Sequence, residues 1–246
     1  MDHLQNDAVG VSASRRTDIP ALYARWFERR LEAGEVAYQA RPNARPAYRS
    51  IRPEHVTHFA FWTRWPPPFL RTLDHVLRIG YPTLWNVTIT GLGGTAVEPH
   101  VPTTDRAVAA LKTLSGVVGR TAVMWRYDPI FLTRKYGVEH HVRTFNELAG
   151  KLAEYVDRVA VSFVVPYGQR VKPDLDRYQV ETGDHLLQVG RGEKADLLGT
   201  LRSIANAAGV TLCLCCVPEL EGDTGLLRAG CNSWEWVARA HPVLLD

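Results

Sequence analysis

A chain of 246 residues is long enough to bury a full core, as one large α/β domain or two small ones. Its 46% hydrophobic and 22% charged residues match ordinary globular chains and exclude a disordered polymer. A formal charge of +3 is too small to imply nucleic acid by itself, and no window approaches 18 uninterrupted apolar residues, which excludes a transmembrane helix and membrane partners. Met1 to Asp7 hold no apolar h-region, so no secretory signal is visible and a cytoplasmic location with reduced thiols is the expectation.

Taken in chain order, Val9–Ser14 reads as a short buried strand, followed by Asp18-Ile19-Pro20, a cap-plus-proline helix start. The helix runs through Leu22, Tyr23, Trp26, Phe27 and Leu31 and is stopped by Gly34. Residues 36–56, with Pro42, Pro46 and Pro53, read as an irregular or hairpin insert. Phe59–Thr63 is a second strand, Pro66-Pro67-Pro68 opens a helix ending near Gly80, and Leu84–Thr90 is a third strand rich in β-branched and aromatic residues. Thr103 or Thr104 caps a helix carrying Val108, Leu111 and Leu114; Ala122–Tyr127 is a fourth strand. A long helix with Phe145, Leu148, Leu152 and Tyr155 at helical spacing leads to a fifth strand, Val159–Val165. Residues 166–192 are polar and Gly-rich and are expected to form a lid or mobile loop. Glu193–Ala208 is a helix stopped by Gly209, Val210–Val217 a sixth strand, and Trp234–Ala240 a last short helix.

About six strand–helix units in series imply a parallel sheet in a single domain over residues 1–246. An open doubly wound sheet and a partial (β/α) barrel both fit. No GxGxxG follows the first strand, so no nucleotide-cofactor motif is present and the TIM-barrel-like arrangement is preferred.

Sites in parallel α/β folds gather at the carboxyl ends of strands. Two stretches stand out there, Ser12-Ala13-Ser14-Arg15-Arg16-Thr17-Asp18 and Trp125-Arg126-Tyr127-Asp128-Pro129. Each places guanidinium and carboxylate groups after an apolar run, and an Arg is costly to bury without a partner. Reading the other ends adds Trp62, Thr63 and Arg64, then Thr88 and Thr90, then Ser162 and Tyr167, and finally Cys215, Cys216 and Glu219. The result is a cationic, hydrogen-bonding mouth suited to an anionic small molecule, with Arg15, Arg16 and Arg126 as its clamp. Asp18, Asp128 and Glu98 are the candidate acid/base groups. An Arg–Asp network that merely ties loops together is the competing account.

Cys213 and Cys215 share one face of the sixth strand, and Cys216 points the other way. Cys216 and Cys231 are the main metal-ligand candidates, for iron or zinc, with Cys213, Cys215 and Glu219 as further ones. Their spacing is not that of a zinc ribbon, and no CxxxCxxC exists, so a [4Fe–4S] cluster of the ordinary radical-SAM kind is not encoded. His140 and His141 read as surface residues.

The motifs SASRRTDIPA (12–21), FWTRWPPP (61–68), TITGLGGTAVEPHVP (88–102) and WRYDPIF (125–131), with Ser162-Phe163, Tyr167, Cys216 and Cys231, resemble the DUF1848 family over roughly Val9 to Trp236. The resemblance implies a TIM-barrel-like fold related to radical-SAM enzymes such as spore photoproduct lyase. It also implies a C-terminal cysteine cluster for iron–sulfur, which this sequence, ending at Asp246, does not show. A lyase or metal-dependent enzyme is the expected class.

Two other readings are open. Arg41, Arg45, Arg49, Arg52 and Arg64, interleaved with Tyr38, Tyr48, Trp62 and Trp65, suggest a strip for single-stranded nucleic acid. A non-catalytic barrel within a larger assembly is the other; no feature fixes oligomeric state.

Overall fold

The computed structural model describes residues 8–14, 16–39, 41, 43–166 and 168–242, so Arg15 and Tyr167 of the expected mouth lie outside the described residues. β1 (Val9–Ser12) leads to α1 (Ile19–Leu22), which starts as its sequence dictates: the Asp18 carboxylate accepts the Ala21 amide at 3.0 Å, and Pro20 sits in the first turn. Tyr23 leaves helical geometry and splits the expected helix, so α2 (Ala24–Ala33) is separate. Gly34 ends it at φ 71°, a left-handed cap that a side chain would strain. β2 (Glu35–Tyr38) and β3 (Ala47–Ser50) form the antiparallel hairpin anticipated in the insert.

β4 (Val56–Thr63), α3 (Leu70–Ile79), β5 (Thr83–Thr88), α4 (Thr104–Val118), β6 (Val123–Ile130), α5 (Val138–Leu152) and β7 (Arg158–Phe163) follow close to expectation. Residues 166–192 do not form the expected loop: α6 (Gly168–Thr182) is a helix. Polar composition and Pro173 hide it in the sequence, but Tyr178 is 4% exposed and packs edge-on against Phe131 at 5.2 Å, beside Tyr136 and Leu92. α7 (Arg191–Ala207) is followed by β8 (Thr211–Leu214), which ends three residues before the expected Val217. α8 (Pro218–Thr224) and β9 (Leu227–Arg228) occupy a stretch to which the sequence assigns no element, and α9 (Trp234–Ala240) falls where expected.

Seven parallel strands form one sheet in the order β1-β4-β5-β6-β7-β8-β9, with no reversal along the chain. The sheet is open, because β1 and β9 are its edges and do not pair with each other. At two residues, β9 offers too short a ladder to close a barrel.

Period-2 alternation gives the sheet two different faces. One face sends Phe59, Phe61, Trp85, Val87, Trp125, Tyr127, Val159 and Val161 against Phe27 of α2, Leu73 of α3, Leu111 of α4, Phe145 of α5 and Leu198 of α7. Phe61 stacks on Trp85 at 4.5 Å and Trp125 on Phe145 at 4.9 Å, and each such side chain contributes about 1.5–3 kcal/mol by leaving water. The other face carries Ala60, Leu84, Met124, Ala160 and Cys213 at its amino-end half, covered by Trp236 and Val237 of α9.

His141 is not on the surface but fully buried. The Tyr127 hydroxyl donates to His141 Nδ1 at 2.7 Å, and Nε2 donates to the Phe131 carbonyl at 3.0 Å. Both ring nitrogens are satisfied, which is what lets the imidazole enter the core.

Candidate active site

The α9-covered face continues upward with the next residues of the same parity: Trp62 on β4, Asn86 and Thr88 on β5, Arg126 and Asp128 on β6, Ser162 on β7 and Cys215 just past β8. Helix α9 fills the amino-end half, so the polar groups collect at the carboxyl ends. Arg126 is 7% exposed and is the hub. Its Nη2 donates to Asp128 Oδ2 and, at 3.1 Å, to Cys215 Sγ. Its Nη1 donates to Cys231 Sγ at 2.8 Å and to Asn86 Oδ1 at 3.3 Å. Asp128 Oδ1 accepts the Ser162 hydroxyl. Arg126 is thus spent on internal partners rather than left open as a clamp.

The loop that delivers Cys231 is pinned from two sides. Asn86 Nδ2 donates to the Cys231 carbonyl at 3.2 Å, and His58 Nε2 donates to Asn232 Oδ1 at 2.6 Å. Burial holds the His58 imidazole below its ordinary range, in the neutral form. Gly10 of β1 makes room for that ring: a Cβ there would sit 2.2 Å from His58 Cε1.

Three thiols converge beside Arg126. Cys215 Sγ lies 3.8 Å from Cys231 Sγ and 3.8 Å from Cys216 Sγ. Alternation along a strand would send Cys216 to the opposite face, but β8 ends at Leu214 and Cys216 takes φ 57°, which turns its sulfur back to Cys215. A non-glycine residue in that region is uncommon and concentrates at functional sites. Donation from the Cys231 thiol and the adjacent Arg126 push Cys215 down to about 5, against burial. The same pairing raises Cys231, so the two thiols titrate as a pair that shares one proton. The charge on Cys215 also raises Cys216. Burial disfavours the Arg126 charge, but Asp128 and the two sulfurs outweigh it and hold the guanidinium ionised.

These thiols suit a soft metal ion in chemistry and in part in spacing. Bonds of about 2.3 Å to a tetrahedral zinc place neighbouring sulfurs about 3.8 Å apart. As arranged, no three His, Cys, Asp or Glu side chains among the described residues close around an ion. Cys213 is buried lower in the sheet, its sulfur 3.9 Å from the Thr211 carbonyl, so it offers no fourth thiolate for a four-cysteine cluster. Glu219 is exposed in the first turn of α8.

The remaining candidates form a second chain of contacts. Asp18 Oδ2 accepts the Arg64 amide at 2.8 Å, which with its cap bond occupies both carboxylate oxygens in tying loops. The Arg64 guanidinium pairs with Glu98 at 2.6 Å, and Glu98 Oε2 accepts the Thr90 hydroxyl at 3.0 Å. Thr63 is buried and its hydroxyl accepts the Trp65 amide. Arg16 lines a different cavity, beside β1, that contains none of the Arg126 cluster. Thr88 is opposite Arg126 in the ladder and half-buried, and Trp62 packs on the α9-covered face.

Sequence reasoning missed Asn86, His58 and Asn232. Asn86 carries a readable signal, a polar residue inside the apolar run Leu84-Trp85-Asn86-Val87; His58 and Asn232 are 174 positions apart and carry none.

No curated protein matches the chain. Among solved structures, one described as IOLI protein with a binding zinc atom is 14% identical, with a TM-score of 0.34 over 59% of this chain and 46% of that one. A D-hydantoinase from a Bacillus sp. AR9 is 11% identical, with a TM-score of 0.32 over 65% of this chain and 34% of that one. The chain spans less than half the length of either, and overlap at these scores carries no argument about fold or activity. The family described as domain of unknown function DUF1848 matches residues 11–243, nearly the whole chain, and the protein belongs to that family.

Proposed function

We propose that the protein is an enzyme whose reactive group is the Cys215 thiolate, acting on an anionic small molecule at the carboxyl-end face of the sheet. The observation that carries this reading is Arg126, held by Asp128 and donating to Cys215 at 3.1 Å and to Cys231 at 2.8 Å. A fixed cation beside a thiol favours the thiolate, the nucleophilic form. Cys215 then supplies the electron pair for a bond to an electrophilic carbon or sulfur of the substrate, as a π bond at that carbon opens or the bond to a leaving group breaks and its electron pair departs with that group. Cys231, protonated and 3.8 Å away, supplies a proton to charge that develops there. Asp128 and Ser162 position Arg126, and Arg64 with Glu98 is the polar group offered to the rest of the substrate. In the same reading the unreversed strand order is barrel-like, with the site in the mouth.

A screen of carboxylated and phosphorylated electrophiles against the full chain tests it, read by intact mass and turnover. An adduct or turnover present in the wild type and lost in Cys215→Ser supports the reading; activity that survives Cys215→Ser contradicts it.

The two 3.8 Å sulfur separations favour one second reading, in which Cys215, Cys216 and Cys231 hold a zinc or iron ion that polarises the substrate. Metal analysis of protein purified without oxygen separates the two. Stoichiometric metal, lost in Cys216→Ser/Cys231→Ser, selects the second; metal-free protein with a reactive Cys215 selects the first.

Nucleic acid binding is less well supported by the geometry. In the hairpin register Val36 pairs with Arg49 and Ala37 with Tyr48, so Arg49 and Tyr48, being adjacent in β3, face opposite ways. Trp65 is covered by Arg106 at 4.9 Å. The interleaved residues therefore do not make one continuous strip.

A further inference from the structure

A cavity of about 820 Å³ lies between the edge strand β1 and the β2–β3 hairpin, and nothing in the thiol chemistry uses it. We propose that it is a second binding site, for an amphipathic organic anion: a flat apolar body carrying a carboxylate, phosphate or sulfonate.

The apolar half of that assignment comes from the walls. Val11, Phe27, Ile51 and Phe59 form a floor continuous with the main core. Trp26 and Tyr38 line the cavity yet stay 37% and 45% exposed, so two large aromatic faces remain available for stacking. A volume of this size is in the range of small-molecule sites, about 300–1,000 Å³.

The anionic half comes from charge and from unused hydrogen-bonding groups. Arg16 and Arg49 line the cavity, and no Asp or Glu among the described residues does. The Arg49 guanidinium has no ion pair or side-chain hydrogen bond among the described residues. Val36 and Tyr38 alternate onto the hairpin face that also carries Arg49, which puts an apolar residue, an aromatic ring and a cation on one wall. Opposite them, β1 is an unpaired edge of the sheet among the described residues. The Ala13 amide donates to the Ala60 carbonyl at 2.8 Å, so the residues of its parity bond to β4, while Gly10 and Ser12 turn their amides and carbonyls away from it.

The test uses 8-anilino-1-naphthalenesulfonate, a flat aromatic sulfonate, and its neutral relative N-phenyl-1-naphthylamine, titrated against the folded full-length chain. The expected result is one saturable sulfonate site per chain. Arg49→Ala should weaken it about ten-fold or more, as loss of a charge-assisted hydrogen bond does. Trp26→Ala should weaken both probes, and Cys215→Ser neither. Because Arg49 is exposed, its removal leaves the fold intact, and an unchanged Tm checks this; Val36→Trp, which fills the cavity, gives an independent block. Absence of a saturable site, or sulfonate binding that Arg49→Ala and Val36→Trp leave unchanged, overturns the proposal. So does a neutral probe that binds as tightly as the sulfonate.

Discussion

Arg126 and Cys215 stand 89 positions apart in sequence and meet with guanidinium Nη2 3.1 Å from the sulfur, because β6 and β8 flank β7 in one parallel sheet. The same guanidinium neutralises Asp128, whose side chain is 14% exposed. Removing the cation therefore strands a buried carboxylate as well as freeing two sulfurs. Arg126→Ala should lower unfolding free energy by about 3–5 kcal/mol, measured by urea denaturation. Arg126→Lys keeps the charge, but its three donors on one nitrogen cannot replace a guanidinium that serves Asp128, Asn86 and both sulfurs, and it should recover only part of the loss. An alanine variant as stable as the wild type would show that the network does not hold the strand ends together.

His141 makes stability fall with acid. Burial holds its imidazole down at about 4, against 6.5 when unfolded. A depressed folded value means that the stabilisation is fully present above pH 6.5 and is lost as pH falls through 4. The amount is about 3 kcal/mol at 1.4 kcal/mol per unit. Urea midpoints between pH 4 and 7 should show this decline, and His141→Phe should flatten it. That variant also costs about 1–3 kcal/mol at pH 7, since the Tyr127 hydroxyl loses its partner. A wild-type curve flat over this range is the contrary result.

Tyr178 fastens α6 to the rest of the fold. It packs on Phe131 and its hydroxyl donates to Asp184 at 2.7 Å. Tyr178→Ala should cost about 3 kcal/mol and make residues 168–182 the first site of limited proteolysis. Cleavage elsewhere, with this segment protected, would mean that the helix is held by something else.

The strands and helices were legible where one residue type dictates the backbone. Gly34, Gly80 and Gly209 end helices at positive φ, and Asp18 with Pro20 starts one. The loop expected over 166–192 is largely helical instead, because Pro173 and the polar face of α6 outweigh, on paper, the single buried Tyr178 that docks it. The barrel expectation captured the parallel sheet and its strand order, while β9 proved too short to seal the edge. Arg126, Asp128, Ser162, Cys216 and Cys231 were readable as strand-end or loop polar residues. Their grouping with Cys215 was less so, because it depends on the left-handed Cys216 backbone, which ordinary strand alternation does not foresee. Arg16 follows β1, which in sequence points it to the same mouth; the structure sets it in the hairpin cavity.

The most direct test is the pH dependence of Cys215 alkylation by iodoacetamide, followed by peptide mass spectrometry on the metal-free folded protein. A thiolate fixed by Cys231 and Arg126 predicts a midpoint near 5, so labelling at pH 6 should proceed at close to its full rate. Arg126→Gln should shift that midpoint upward, toward the ordinary 9.0 of a free thiol. A wild-type midpoint already in the ordinary range, unchanged by Arg126→Gln, would contradict Cys215 as the reactive group.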